Sequence, residues 1–119
     1  MMRRLTVTYE PFDVVVVPFP FTDSAKTKRR PALVLSGKKD FSSIIEHTVL
    51  AMITSQKNEP WPLDVTINDI AESGLTAPSI VRMKLFTLDN RFIIRKTGSL
   101  SKNDQANVKK NLMKIFGYL

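Results

Sequence analysis

Residues 13–23 read DVVVVPFPFTD, and this stretch decides the fold. Four consecutive valines make a strand that is apolar on both faces, which means that both faces must be covered. In a domain this small, we expect another subunit to provide the second cover. Pro18 and Pro20 should then stop regular strand pairing.

Five further strands are expected after this first one. Residues 21–30 are polar, basic and without pattern, so they predict an exposed loop. Apolar side chains alternate cleanly at Leu63, Val65 and Ile67, which is typical of a half-buried strand. The other expected strands cover residues 31–36, where proline is tolerated at the first position, residues 47–54, residues 81–85 and a last segment that follows residues 92–94, with a turn at residues 37–40.

The C-terminal residues change from strand spacing to helical spacing. Ser101, with Asp104 three residues later, is a variant of the capping box, and Gly117 is a natural residue to follow a helix end. About six short strands followed by one amphipathic helix of about four turns predict a mainly β fold, α+β by content, built as a small antiparallel barrel with a packed helix. The apolar stripe of the expected helix consists of Val108, Leu112, Ile115 and Phe116.

Length and composition indicate one ordinary domain. The chain has 119 residues, a formal net charge of +7 and no cysteine, which excludes a disulfide scaffold, a cysteine nucleophile and cysteine-based metal sites. We expect residues 1–119 to form a single domain with residues 1–10 as an N-terminal extension. Neither a signal peptide nor a membrane span is evident, so a soluble cytoplasmic protein is expected. The positive charge makes nucleic acid the first partner to consider, although an acidic protein would use the same surface.

Several separate segments, taken in order, resemble the MazF/PemK family of toxin ribonucleases. In that family a strand similar to residues 13–23 leads through a loop to a strand with an RPALVL-like sequence. A later strand ends in Thr-x-Gln, which is matched here by Thr54, Ser55 and Gln56. The matching segments are DVVVVPFPFTD, KRRPALVL at residues 28–35, ITSQ at residues 53–56, SIVRMKLFTLD at residues 79–89 and RKTGSL at residues 95–100, and the likeness spans about residues 13–116.

The resemblance implies a fold, a reaction and partners. The fold would be a small SH3-like antiparallel barrel of the CcdB/MazF type with a C-terminal helix, assembled as a two-fold homodimer. The activity would be that of the toxin in a toxin–antitoxin pair: a metal-independent mRNA interferase that cuts single-stranded RNA at short sequences and inhibits growth until a cognate antitoxin protein blocks it. The ribose 2′-hydroxyl would attack the adjacent phosphate and leave a 2′,3′-cyclic phosphate and a 5′-hydroxyl, with no cofactor.

The resemblance also carries over two catalytic positions, Arg30 before the strand proline and Thr54 of the Thr-x-Gln segment. A guanidinium offers paired planar donors to phosphate oxygens, and fixed donors stabilise the charge that develops in the transition state. A threonine hydroxyl can donate one more hydrogen bond. Arginine stays protonated and is a poor base, so the group that accepts the 2′-hydroxyl proton is left open. His47, the only histidine, is the rival candidate.

Further residues are candidates for holding RNA. Basic loop side chains can bind phosphates, polar side chains next to Thr54 can hydrogen-bond bases, and aromatic side chains can stack on splayed bases. Each also has a simpler explanation as a solvated loop, turn or core residue. The acidic residues have no spacing typical of metal ligands. The RNA-binding candidates are Lys26, Lys28, Arg29, Ser55, Gln56, Phe21 and Trp61.

Two other functions remain open from the sequence. A non-catalytic toxin on the same barrel would resemble the CcdB gyrase poisons, but that family acts through a tryptophan near the C-terminus, where this chain has IFGYL. A plain SH3-like module would bind RNA or protein without chemistry. Loss of Arg30 or Thr54 would favour that function, and both are present.

Overall fold

The computed structural model describes residues 7–19 and 28–119. Its strands are β1 (Asp13–Phe19), β2 (Lys28–Val34), β3 (His47–Ser55), β4 (Val65–Thr66), β5 (Ser79–Asp89) and β6 (Arg95–Ser99). Its helices are α1 (Ser43–Ile45), α2 (Ile70–Ser73) and α3 (Lys102–Ile115), with a π-helical turn at Lys38–Ser42 and a 3-10 turn at Asn90–Phe92. The six strands form one antiparallel sheet in the order β4-β5-β3-β2-β1-β6, curled into a half-barrel that carries α3. The predicted fold class is therefore confirmed. No helix within the described ranges is long and apolar enough to cross a membrane.

The central strands produce two apolar layers, one on each face of the sheet. Val14 pairs with Leu33 and Val15 pairs with Ala32, so successive side chains point to opposite faces. We call the face that carries α3 the helix face, and the other the opposite face. The helix face holds Val14, Leu33, Ala51, Ile53, Val81 and Val108 among its buried residues, and the opposite face holds Val15, Val17, Ala32, Leu50 and Phe86.

The valine run does not need a second subunit as its cover. Val14, Val15 and Val17 are each 0% exposed within a single chain. Because the sheet curls, its own strands cover one side of β1 while the α3 side covers the other. The expectation that another subunit covers this strand is wrong for these three valines, which give no support to a dimer, and Val16 is half-buried.

Proline does not end the first strand where the sequence predicted. Pro18 pairs with Arg29, and Pro31 pairs with Val16 in the middle of β2, so the loop expected at residues 21–30 is wrong for residues 28–30. The remainder of that predicted loop lies outside the described residues. Proline differs from other residues in lacking the backbone N–H, so it is harmful only where a neighbouring strand needs that donor. The pairing of β1 with β6 ends at Val16, before Pro18, and the pairing of β2 with β3 begins at Ala32, after Pro31. On those outer sides neither proline interrupts a ladder, so both are tolerated.

The strand predicted at residues 63–67 and the turn predicted at residues 37–40 differ from the structure, whereas the last strand follows residues 92–94 as predicted. The expected strand at residues 63–67 is reduced to β4, because Leu63 has a left-handed φ of 67° that an extended strand cannot contain. The turn expected at residues 37–40 is part of the π-helical turn that leads into α1. The last strand starts at Arg95, after the 3-10 turn.

The N-terminal extension is only partly described. Residues 1–6 lie outside the described ranges. Tyr9 packs against the apolar layer of the opposite face, and the Glu10 N–H donates to the Asp13 carboxylate over 2.9 Å. Contact with the domain core therefore begins before residue 10.

Helix α3 begins and ends as its sequence predicts, but its apolar stripe is shorter. The Ser101 hydroxyl accepts the Asp104 N–H, and at the other end Gly117 takes a φ of 73°. Val108 is fully buried and Leu112 packs against the helix face. Ile115 and Phe116 are 38% and 55% exposed, contrary to the prediction, because the last turn of α3 lacks the sheet contact that covers Val108.

Candidate functional site

Strand register brings Arg30 and Thr54 onto the same face of the sheet. Arg30 pairs with Val17 across β1, which places it on the opposite face. The pairing of β2 with β3 reaches Ala32 and Met52. Continued by two residues along each antiparallel strand, that register would set Arg30 beside Thr54. By this extrapolation the two residues, which are 24 positions apart in the chain, lie on the same face of adjacent strands.

The Arg30 side chain carries a buried donor without an acceptor. Its Nε atom is buried and has no hydrogen-bond partner among the described residues, whereas the Arg29 and Lys28 side chains are exposed. A buried N–H that stays unpaired costs about 1–3 kcal/mol, and an anion bound there would remove that cost. Of the two adjacent arginines, Arg30 is therefore the one with the environment of an anion-binding group.

Thr54 is 4% exposed and its hydroxyl is already partly engaged. The Asn58 side-chain amide donates to Thr54 Oγ1 over 2.5 Å. A hydroxyl can accept this bond and still donate its own proton elsewhere. The hydroxyl is therefore held in place with its donor function free.

Ser55 and Gln56 follow Thr54 at the surface. The Gln56 N–H donates to the Pro78 carbonyl over 3.2 Å, which ties this turn to the start of β5. A shallow cavity of about 340 Å³ opens here, lined by Ser55, Gln56, Lys57, Ala77 and Pro78. Both predicted polar residues therefore face an open surface next to Thr54.

Trp61 forms a half-exposed platform that two other side chains hold in position. The ring is 44% exposed, and the Arg82 guanidinium lies 5.1 Å from its centroid. Arg82 in turn donates to the Asp64 carboxylate through Nε at 3.2 Å and Nη2 at 3.0 Å, and Nη2 also donates to the Glu59 carbonyl at 2.6 Å. Asp64 also accepts the backbone N–H of Trp61 at 2.8 Å. Because Arg82 pairs with Met52, this platform lies on the same face as Thr54, one row away.

A second cavity, of about 370 Å³, has a basic lining and lies where β1, β2 and β6 meet the residues after α2. Arg29, Arg30 and Arg95 are among the residues that line it, together with Thr76 and Thr97. Within the described ranges neither Arg29 nor Arg95 has an ion pair, whereas Lys96 contacts Asp13 at 3.1 Å. The unpaired guanidinium charge makes this cavity attractive to an anion.

The sequence analysis did not single out three residues near the site, namely Arg82, Arg95 and Asn58. The alternation of Arg82 with apolar neighbours on a strand, and the basic pair that opens β6 at Arg95, were signals that could have marked two of them. Asn58 gives no signal in the sequence, because its role depends on how the turn after β3 folds back.

His47 lies at the far end of β3 from Thr54. The two residues are seven positions apart along an extended strand, or about 23 Å. Its ring contacts the Ile45 carbonyl, and it pairs along the strand with Asp89. Hydrogen bonds from the side chain and then the backbone N–H of Arg91 lower the pKa of Asp89 to about 2. Because of the distance along β3, His47 cannot be the base at a site built around Thr54 of the same chain.

Two predicted RNA contacts, Lys26 and Phe21, lie outside the described residues. Within residues 7–19 and 28–119, no three histidine, aspartate or glutamate side chains gather into a group that could hold a metal ion. The candidate side chains on this face of the sheet and in the turn after β3 are a guanidinium, hydroxyls, amides and an indole. This set can bind a polyanion and a base, and it can stabilise negative charge on a phosphate.

Comparisons with known proteins return one family model and a set of solved structures. The family model, described as "PemK-like, MazF-like toxin of type II toxin-antitoxin system", matches residues 10–116. Comparison with curated protein sequences finds no match.

The similar structures share the fold at low sequence identity. A MazE–MazF complex from Deinococcus radiodurans (Form-II) has a TM-score of 0.72 at 21% identity, covering 95% of this chain and 99% of that chain. The Mycobacterium tuberculosis toxin MazF-mt6 has a TM-score of 0.71 at 19% identity, covering 88% and 96%. An endoribonuclease in complex with its cognate antitoxin from a mycobacterial species has a TM-score of 0.74 at 12% identity, covering 94% and 98%.

Proposed function

The chain belongs to the PemK-like, MazF-like toxin family of type II toxin–antitoxin systems, and from this premise we propose that it is a toxin endoribonuclease that cuts single-stranded RNA. The observation that carries the proposal is that Arg30, whose buried Nε has no partner in residues 7–19 and 28–119, lies on the same sheet face as the buried Thr54 side chain. These are the two positions that the family resemblance marks as catalytic.

The proposed reaction is an internal transfer of the phosphate. The ribose 2′-oxygen bonds to the adjacent phosphorus and its hydroxyl gives up a proton; the bond from phosphorus to the 5′-oxygen breaks, and that oxygen takes a proton. The products are a 2′,3′-cyclic phosphate and a 5′-hydroxyl. Arg30 binds the phosphate oxygens as their negative charge grows, and Thr54 donates one further hydrogen bond. No metal takes part in this scheme.

RNA would be held around this centre by groups of different chemistry. Trp61 stacks on a splayed base, and Ser55 and Gln56 hydrogen-bond base edges. Lys28 and Arg29 neutralise phosphates, and Lys26 and Phe21 are assigned to the same strand of RNA on the sequence alone. The exposure of Trp61 and of the basic end of β2 supports these assignments.

Two protein partners belong to the proposal. A cognate antitoxin would cover the site, and an acidic, partly disordered segment would suit the net charge of +7. A second copy of the chain would form a homodimer, for which Phe116, Tyr118 and Leu119 offer exposed apolar contacts at 55%, 72% and 71% exposure. The protein would act in the cytoplasm, where mRNA is present.

The decisive experiment is to incubate the purified protein with a long single-stranded RNA in EDTA. The wild type should cut at a few recurring sites and leave 5′-hydroxyl ends that a polynucleotide kinase labels directly. Arg30→Ala and Thr54→Ala should each lower kcat by about 100-fold or more, the typical cost of losing one fixed donor to developing charge. Arg29→Ala is the matched control and should weaken binding while cutting continues.

The outcome separates the competing functions. RNA that is bound but not cut by folded wild-type protein would refute the ribonuclease proposal. A non-catalytic binding module or a gyrase poison would then be the functions to test.

A further inference from the structure

The turn after β3 places a side-chain amide on the Thr54 hydroxyl. The Asn58 backbone N–H donates to the Ser55 carbonyl over 3.1 Å, which closes the turn. Its side-chain Nδ2 then donates to Thr54 Oγ1 over 2.5 Å. The backbone bond closes the turn without the side chain, so the amide contact is a separate feature that mutation can remove by itself.

The chemistry of this contact decides what the hydroxyl can do. An amide nitrogen only donates, so it occupies a lone pair of Thr54 Oγ1 and cannot take the hydroxyl proton. The proton must point to another acceptor. We propose that Asn58 is a positioning residue that orients the Thr54 hydroxyl as a donor toward the phosphate held by Arg30. This inference rests on the proposed function and adds a residue to which the family resemblance assigns no role.

The proposal makes a prediction about rate rather than affinity. Asn58 is itself exposed, and its side-chain amide contacts the Thr54 hydroxyl. Asn58→Ala should therefore lower kcat by about tenfold, the upper range for one neutral hydrogen bond, with KM changed less than threefold. Asn103→Ala removes an exposed asparagine from α3, far along the chain from the turn, and should leave kcat unchanged.

A pH profile distinguishes orientation of the hydroxyl from simple support of the turn. In Asn58→Asp the ionised carboxylate accepts the Thr54 proton and turns it away from the phosphate. The protonated carboxyl can donate, as the amide does. The kcat of this variant, divided by that of wild type at each pH, should be lowest near neutral pH and rise as the pH falls toward about 4, the ordinary range for aspartate.

A double variant completes the test. Adding Asn58→Ala to Thr54→Val should cost no further activity, because the group that Asn58 orients is already absent. Wild-type kcat in a folded Asn58→Ala protein, full additivity in the double variant, or a flat pH ratio for Asn58→Asp would each overturn the proposal. Wild-type protein that cuts no RNA would instead refute the proposed function, and the inference with it, so the two failures are distinguishable.

Discussion

Breaking the ion pair between Arg82 and Asp64 by removing one partner should strongly destabilise the fold, and Asp64→Ala tests this. The two side chains are only 7% and 12% exposed. Removing one partner of a buried pair typically costs 3–5 kcal/mol, against about 0–1 kcal/mol for an exposed pair. Arg82 keeps its bond to the Glu59 carbonyl in this variant, so we expect the lower end, about 3 kcal/mol, or a fall in Tm of about 10 °C for a domain of this size.

Urea unfolding followed by fluorescence measures this loss and its local origin together. Trp61 is the only tryptophan and lies 5.1 Å from the Arg82 guanidinium, so its emission reports on this platform alone. In Asp64→Ala the native emission should shift to the red as the ring loses its support. In the double variant Asp64→Leu with Arg82→Met, most of the stability should return, because apolar residues can replace a buried pair. A loss below about 1 kcal/mol with unchanged emission would refute the reasoning.

Three further predictions follow from charges and hydrogen bonds elsewhere in the chain. Arg95→Gln should raise the KM for RNA and reduce the salt dependence of RNA binding by about one phosphate contact. Fluorescence anisotropy over a salt series measures this dependence. The control Arg91→Gln removes the same charge and should change neither quantity. The buried Asp104 carboxylate accepts the backbone N–H groups of residues 68 and 69 at 3.0–3.1 Å, and Asp104→Ala leaves both without this acceptor. Equilibrium unfolding should show that the free energy of unfolding falls by about 2–3 kcal/mol. A fall of less than about 0.5 kcal/mol would contradict this account. Because the pKa of Asp89 is lowered from 3.8 to about 2, its contribution to stability is complete above about pH 4 and disappears as the pH falls toward 2. NMR titration should find an Asp89 pKa of about 2 in the wild type and a higher Asp89 pKa in Arg91→Gln.

Local pattern was sufficient for most of the elements. The alternation around Val65, the apolar strands before and after it, and the cap and stop signals at Ser101 and Gly117 predicted six strands and one C-terminal helix, as observed. These signals are carried by neighbouring residues, so they can be seen without knowing the fold. Element ends were less accurate because the effect of Pro18 and Pro31 depends on whether another strand pairs on that side, which is a tertiary property.

The candidate site also has residues that the sequence pattern identifies and residues that it does not. Arg30 and Thr54 were named from their segments. The sequence marks Arg82 and Arg95 only as basic side chains on strands, without saying what they contact, and it does not mark Asn58 at all. A guanidinium under an indole and an amide on a hydroxyl are contacts between elements or across a turn. Sequence spacing does not encode such contacts, because they depend on how the sheet curls and how each turn closes.

By itself, the sequence determined that this chain is strand-rich, basic and similar to one family of toxins, since composition and periodic pattern are properties of the linear chain. The tertiary structure was needed to show that Val14, Val15 and Val17 are covered within one molecule and that His47 lies far from Thr54. It also showed that Arg30, rather than Arg29, holds a buried donor with no partner among the described residues. The reason is physical: burial, distance and hydrogen-bond satisfaction are set by which strands become neighbours, and strand order is decided by packing of the whole sheet.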